Sequence, residues 1–187
     1  SLEEVYKSER NINHFISDEQ AIFELEDTLH NAVGLQMQAD VPLGAFLSGG
    51  IDSSLVVAMM QNQSQQKVNT FSIGFDVKDF NEAEYARAVA NHLRTDHFDM
   101  YVTEQDALDV IPNLPNIYDE PFADSSQIPT YLVSKIAKQK VTVALSGDAG
   151  DELFGGYNRY VFTQKMFNKI KKVPTPVKNI LSKLIFS

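Results

Sequence analysis

The chain of 187 residues contains no cysteine and no tryptophan. Without cysteine it can form no disulfide, no zinc-thiolate site and no thiol nucleophile, and it suits a reducing compartment. No Gly-Lys-Ser or Gly-Lys-Thr occurs, which excludes a Walker loop and the kinase-like or GTPase-like phosphate chemistry built on one. No apolar run is long enough to cross a bilayer, and the N-terminus lacks the charged-then-apolar pattern of a signal peptide. The sequence therefore reads as cytoplasmic, with no membrane partner. Basic charge is also scarce: 16 Lys and Arg stand against 25 Asp and Glu, a formal net charge of -9. That balance argues against nucleic acid as the main partner, because phosphate backbones are held through surplus cations.

The cations present are concentrated at one end. Asp151 and Glu152 are the last acids, and Arg159, Lys165, Lys169, Lys171, Lys172, Lys178 and Lys183 follow them. This basic tail reads as a solvated helical face or a surface that meets another part of the protein, a nucleic-acid arm being the alternative. We divide the chain into a polar linker over 1–17, a domain over 18–160 and a basic helical segment over 161–187. At 43% apolar and 22% charged residues, one buried core is expected.

Periodicity places the elements. Ser17-Asp18-Glu19-Gln20 reads as a helix cap, followed by Ile22, Leu25, Leu29 and Val33 at helical spacing. Strands are expected at Val41–Leu47, Val68–Phe75, His97–Val102 and Val141–Leu145. Helices are expected from Ser53 onward and over Asn81–Leu93, Glu104–Ile117 and Ile128–Gln139. Alternating strands and helices predict an α/β fold with a doubly wound parallel sheet, whose ligands sit beyond the carboxyl ends of the strands. Three loops fall there: Ser48–Ser53, Ile73-Gly74-Phe75 and Ser146–Glu152.

The first is Leu47-Ser-Gly-Gly-Ile-Asp-Ser-Ser54, a glycine turn between a buried strand and a helix start. First-turn amides have no partner inside the helix and point at a site of partial positive charge, which suits phosphate oxygens. Gly49 and Gly50 permit close approach, and Ser53 and Ser54 occupy the expected cap and first-turn positions. Asp52 would repel a bare phosphate, so a divalent cation between them, Mg2+, is implied. The second loop, Ser146-Gly-Asp-Ala-Gly-Asp-Glu-Leu-Phe-Gly-Gly-Tyr157, mirrors the first. Asp151 is a candidate second magnesium ligand, and Asp148 a candidate group to orient or deprotonate a nucleophile. The plainer alternative is that both are ordinary turns with acids as helix caps. His14, His30, His92 and His97 have no ligand spacing and read as surface or satisfied core residues.

Ser-Gly-Gly-Ile-Asp-Ser, Phe-Ser-Ile-Gly-Phe and the Ser146–Tyr157 loop, in that order, resemble the synthetase domain of glutamine-dependent asparagine synthetases, from about Asp18 to Tyr160. The resemblance implies an ATP-pyrophosphatase fold in which an acceptor carboxylate attacks the α-phosphate of ATP, and ammonia then displaces AMP to give an amide. By motif position it implies that Ser48, Gly49, Gly50, Asp52 and Ser53 hold pyrophosphate. Phe46, Leu47, Ile73, Ser146 and Gly147 would line the adenosine, Asp52 and Asp151 would bind magnesium, and Asp148 would be the general base. Many members carry Glu where this chain has Asp148. Tyr118–Thr130 lacks the threonine pair and arginine of the best-known members, so the acceptor stays open between aspartate and another carboxylate such as a sugar acid.

The cysteine glutaminase domain that would supply ammonia and the later segment that supplies a lysine are absent. The chain is therefore expected to be a fold incomplete at its C-terminus, inactive alone, and a possible homodimer. GMP, NAD and argininosuccinate synthetases and tRNA-thiolating enzymes share the first loop, but the last need cysteine. β-Lactam-forming synthetases share the second. A nucleotide-binding module without catalysis is the alternative class.

Overall fold

The computed structural model describes residues 17–75, 81–121 and 123–174. The proposed linker lies almost wholly outside these residues, as does the end of the basic segment. Along the chain run α1 (Asp18–Gln36), β1 (Leu43–Phe46), α2 (Ile51–Gln63), β2 (Asn69–Phe75), α3 (Ala83–Leu93) and β3 (Asp96–Val102). They are followed by α4 (Glu104–Val110), a 3-10 turn (Ile111–Asn113), α5 (Leu114–Ile117), α6 (Gln127–Ala137), β4 (Val143–Leu145), α7 (Gly150–Phe154) and α8 (Asn158–Lys171). The chain divides between Ser146 and Gly147 into two compact units.

In the first unit all four strands are parallel, in the order β3-β2-β1-β4. Alternation along β1 and β2 sends side chains to opposite faces, and helices cover both. On one face Ala45 and Leu47 meet Val57 and Met60 of α2, Val33 of α1, and Ala86 of α3. On the other, Phe71 packs with Ala137 and Val141, and Ile73 and Phe75 pack with Val110 and Leu132. Each fully buried large side chain contributes about 1.5–3 kcal/mol, so a sheet covered on both faces is held rigid where its strands end. This is the doubly wound α/β arrangement the sequence predicts. Among the described residues no helix is long and apolar enough to cross a membrane.

Local chemistry sets the boundaries, and in places corrects the sequence reading. Ser17 caps α1 as expected, its hydroxyl accepting from the Gln20 amide at 3.3 Å. The predicted helix over Glu104–Ile117 is instead three pieces. Thr103 and Asp106 form a capping box at its start, but Pro112 and Pro115 carry no amide hydrogen and each opens a new segment. The cap of α2 is Gly50, not a serine: its extended backbone (φ -69°, ψ 163°) turns the chain into the helix, which leaves Ser53 inside the first turn.

The α1 stripe packs only in part. Val33 is buried and Leu29 packs beside it, whereas Ile22 and Leu25 are exposed. On the α3 side of the sheet lie the buried hydroxyls of Thr70 and Ser72. His97 of β3 satisfies both, with Thr70 Oγ1 to Nδ1 at 2.9 Å and Ser72 Oγ to Nε2 at 3.2 Å. A histidine with both ring nitrogens so engaged is a core residue, not a ligand.

Candidate nucleotide site

The chain runs outward from β1 to β3 and returns on the other side of β1 as β4. Strand order therefore reverses between β1 and β4, whose registers pair Gly44 with Ala144 and Ala45 with Leu145. The turn at Leu47-Ser48 and the residue Ser146 consequently leave neighbouring strands at the same, carboxyl edge of the sheet. In open α/β sheets this crevice is where ligands bind.

The first loop is shaped by a left-handed glycine and two serines. Gly49 has φ +83°, and a Cβ there would lie 2.7 Å from Ala86 N, Tyr85 C and Tyr85 Cβ, so the loop backbone rests on α3. Ser53, 8% exposed, holds the turn together. Its hydroxyl accepts from the Ser48 amide at 3.2 Å, lies 2.9 Å from Ser48 Oγ and donates to the Gly50 carbonyl at 3.3 Å. The Gly50 amide in turn donates to Ser48 Oγ at 3.2 Å. Ser54 makes the first intrahelical bond, to Gly50 O at 3.1 Å, which leaves the amides of Ile51, Asp52 and Ser53 as the first-turn donors. Asp52 sits among them, half-buried.

The structure thus gathers Ser48, Gly49, Gly50, Asp52 and Ser53 into one turn at the start of α2, with Ser146 at the neighbouring strand end. Leu47 is 1% exposed against α2, so only its backbone faces the edge. Phe46 and Ile73 lie on the opposite side of the sheet, Phe46 beside Phe71 and Ile73 beside Val102.

In the second unit Gly147 O accepts from the Gly150 amide at 3.3 Å, closing the turn that carries Asp148. Ala149 takes a left-handed backbone (φ 74°), a conformation costly to any residue with a Cβ, and α7 starts directly after it with Asp151 in its first turn. The α7 helix is five residues long and ends at Gly155, also left-handed at φ 69°. Tyr157 then donates to Glu152 Oε1 at 2.7 Å. That bond lowers the Glu152 pKa from its ordinary value and raises that of Tyr157. The Arg159 guanidinium stacks 4.2 Å from the Tyr157 ring centre.

Sequence reasoning missed the strain at Ala149, since nothing in Asp-Ala-Gly marks the alanine rather than its neighbour as the left-handed residue. It also missed the Thr70, Ser72 and His97 network, although two hydroxyls on the strand face opposite Phe71 and Ile73 were a usable signal. Among the described residues no three His, Cys, Asp or Glu side chains converge into a metal cage.

The asparagine synthase family model matches residues 24–185. A putative glutamine-hydrolyzing asparagine synthetase of Methanocaldococcus jannaschii is 46% identical over 157 residues, covering 83% of this chain and 30% of the relative. Asparagine synthetase 1 of Bacillus subtilis is 36% identical over 164 residues, covering 88% and 26%. The chain thus spans under a third of the length of these curated relatives. Among solved structures, the NH3-dependent NAD synthetase of Campylobacter jejuni overlaps 72% of this chain and 60% of its own, at a TM-score of 0.49 and 16% identity. With a family model matched over most of its residues, this chain belongs to the asparagine synthase family.

Proposed function

We propose that the chain is the ATP-using part of an amide-forming synthetase that works in the cytoplasm and activates an acceptor carboxylate as its adenylate. The observation that carries this reading is the Ser48–Ser53 turn. It places first-turn amides and two hydroxyls at the switch point of a parallel sheet, and lacks the lysine that a γ-phosphate-transferring loop would use. A site that grips the β- and γ-phosphates leaves the α-phosphorus open to attack.

The acceptor carboxylate oxygen forms a bond to the α-phosphorus as the bond to the pyrophosphate oxygen breaks. Ammonia then attacks the acyl carbon, AMP departs with the bonding pair, and the surplus proton is lost from nitrogen. First-turn amides, in a turn that the Ser48 and Ser53 hydroxyls hold in shape, stabilise the growing charge on pyrophosphate. Phe46, Ile73, Ser146, Gly147 and the backbone of Leu47 are the proposed adenosine contacts, and Asp148 is placed by its motif to take the ammonia proton.

Asp52 and Asp151 are the proposed magnesium ligands. A hard oxygen donor beside first-turn amides, without a three-carboxylate cage, fits an ion that keeps its waters and binds through one or two carboxylates plus phosphate. When bound, that ion neutralises charge on the leaving pyrophosphate. The acceptor is proposed to be aspartate or a related carboxylate, with ammonia supplied by a glutaminase.

Calorimetric titration of the chain with ATP and magnesium tests the reading. Expected are saturable ATP binding, competition by pyrophosphate, no equal binding of GTP, and at least tenfold weaker binding in Asp52→Asn with the far-ultraviolet spectrum unchanged. ATP binding that pyrophosphate does not weaken, or an Asp52→Asn variant of undiminished affinity, would refute it.

A further inference from the structure

The flanks of α3 differ in what they meet. Ala83, Ala86 and Ala90 are buried against the sheet. Arg87, about 100° further round the helix than Ala86, is ion-paired with Asp99 of the edge strand β3. Tyr85, about 100° round in the other direction, therefore stands on the flank toward α2. The Gly49 contact places it there independently, because a Cβ on Gly49 would lie 2.7 Å from both the carbonyl carbon and the Cβ of Tyr85. Only the root of this side chain is held. Tyr85 is 71% exposed, a large aromatic residue left in water beside the Ser48–Ser53 turn.

We propose that Tyr85 is a phosphate-binding residue whose hydroxyl donates to the terminal phosphate of ATP held on that turn, an inference that rests on the nucleotide reading above. Gly49 and Gly50 put no side chain between the ring and the turn. The turn carries no cation of its own, and the Arg87 guanidinium of α3 is directed to β3 and engaged by Asp99. A phenol on a rigid apolar body is then the donor that α3 offers, and its bond to an ionised phosphate oxygen is charge-assisted. Of the proposed adenosine contacts, Phe46 and Ile73 lie on the opposite face of the sheet from α3. Ser146 follows β4, which lies across β1 from α3. Tyr85 therefore meets the phosphate end of the nucleotide and not the adenosine end.

The test is calorimetric titration of the 187-residue chain and of its Tyr85→Phe variant with ATP, with pyrophosphate and with AMP, each in the presence of magnesium. Expected is about 10- to 100-fold weaker binding of ATP and of pyrophosphate by Tyr85→Phe. AMP binding and the melting temperature should not change, because the substitution removes only the hydroxyl of an exposed side chain. Undiminished affinity of Tyr85→Phe for ATP and pyrophosphate overturns the proposal and leaves the nucleotide reading standing. An equal loss for AMP, or a loss that accompanies a fall in melting temperature, also overturns it, since the hydroxyl would then act on the adenosine end or on the fold. A parent chain that binds none of these ligands overturns both readings.

Discussion

Replacing Gly49 with alanine adds one methyl group, and the structure separates its two costs. The backbone at Gly49 is left-handed (φ +83°), which costs a residue bearing a Cβ about 1–2 kcal/mol. The new Cβ would also lie 2.7 Å from Ala86 N, Tyr85 C and Tyr85 Cβ. Two of these are backbone atoms of α3 and cannot rotate away, so the loop or the helix must shift, at a further cost of about 1–3 kcal/mol. Gly155 supplies the control, with a similar backbone (φ +69°) but nothing within 4 Å of its added Cβ.

Gly155→Ala should therefore cost about 1–2 kcal/mol and Gly49→Ala about 2–5 kcal/mol. At about 2–4 °C per kcal/mol for a domain of this size, the glycine in the loop should lower the melting temperature several degrees more than the control. Thermal unfolding followed by circular dichroism reads the difference, and ATP titration of the folded Gly49→Ala chain should give weaker binding, because the phosphate turn has moved. Equal destabilisation by the two substitutions would refute the claim that the loop rests on α3. Unchanged ATP affinity in a destabilised Gly49→Ala would detach that packing from the site.

Ser53→Ala leaves the Ser48 amide without its acceptor and should lower the stability of the chain by about 1–3 kcal/mol in urea unfolding; no change would mean that the hydroxyl does not hold the turn. Ala149→Gly relieves a left-handed alanine at the expense of a freer unfolded chain and should raise stability by up to about 1 kcal/mol; a loss would show that the methyl group packs. Burial lowers the His97 pKa, Asp99 opposing and Arg87 assisting. The unfolded chain then binds more protons below about pH 6.5, so stability falls as pH drops from there through the folded pKa and is flat above. Urea midpoints measured from pH 8 to 5 should show that decline, and His97→Gln should flatten it; an unchanged profile would assign the decline to other groups.

How much of this was legible in the sequence depended on whether the signal was local. The strand, glycine turn and helix around Leu47–Ser54 were readable because two apolar runs and the two glycines between them each act within a few residues. The parallel orientation of the strands followed from the strand and helix alternation; their order did not. Element ends were less readable. Gly50 rather than a serine caps α2 because the extended backbone there, not a side-chain bond, turns the chain into the helix. Pro112 and Pro115 divide one predicted helix into three pieces through the amide hydrogens they lack. Periodicity marks Ile22, Leu25, Leu29 and Val33 as one apolar stripe along α1, yet only its C-terminal half meets the core, since periodicity says which face is apolar and not what covers it.

The same distinction governs the site. The proposed anion-binding turn is one stretch of backbone, so Ser48, Gly49, Gly50 and Ser53 could be grouped from their order alone. The expected adenosine contacts are drawn from three strands, and their side chains follow the pleat: Leu47 turns into the α2 face, while Phe46 and Ile73 turn to the other. Only the Leu47 backbone is left at the edge, where its carbonyl and amide are identical for any residue type. Substituting Leu47 by methionine, which conserves volume, should therefore cost under about 1.5 kcal/mol of stability and leave nucleotide affinity unchanged. An affinity loss without a stability loss would mean that the Leu47 side chain itself meets the nucleotide, and that the loop rearranges when it binds.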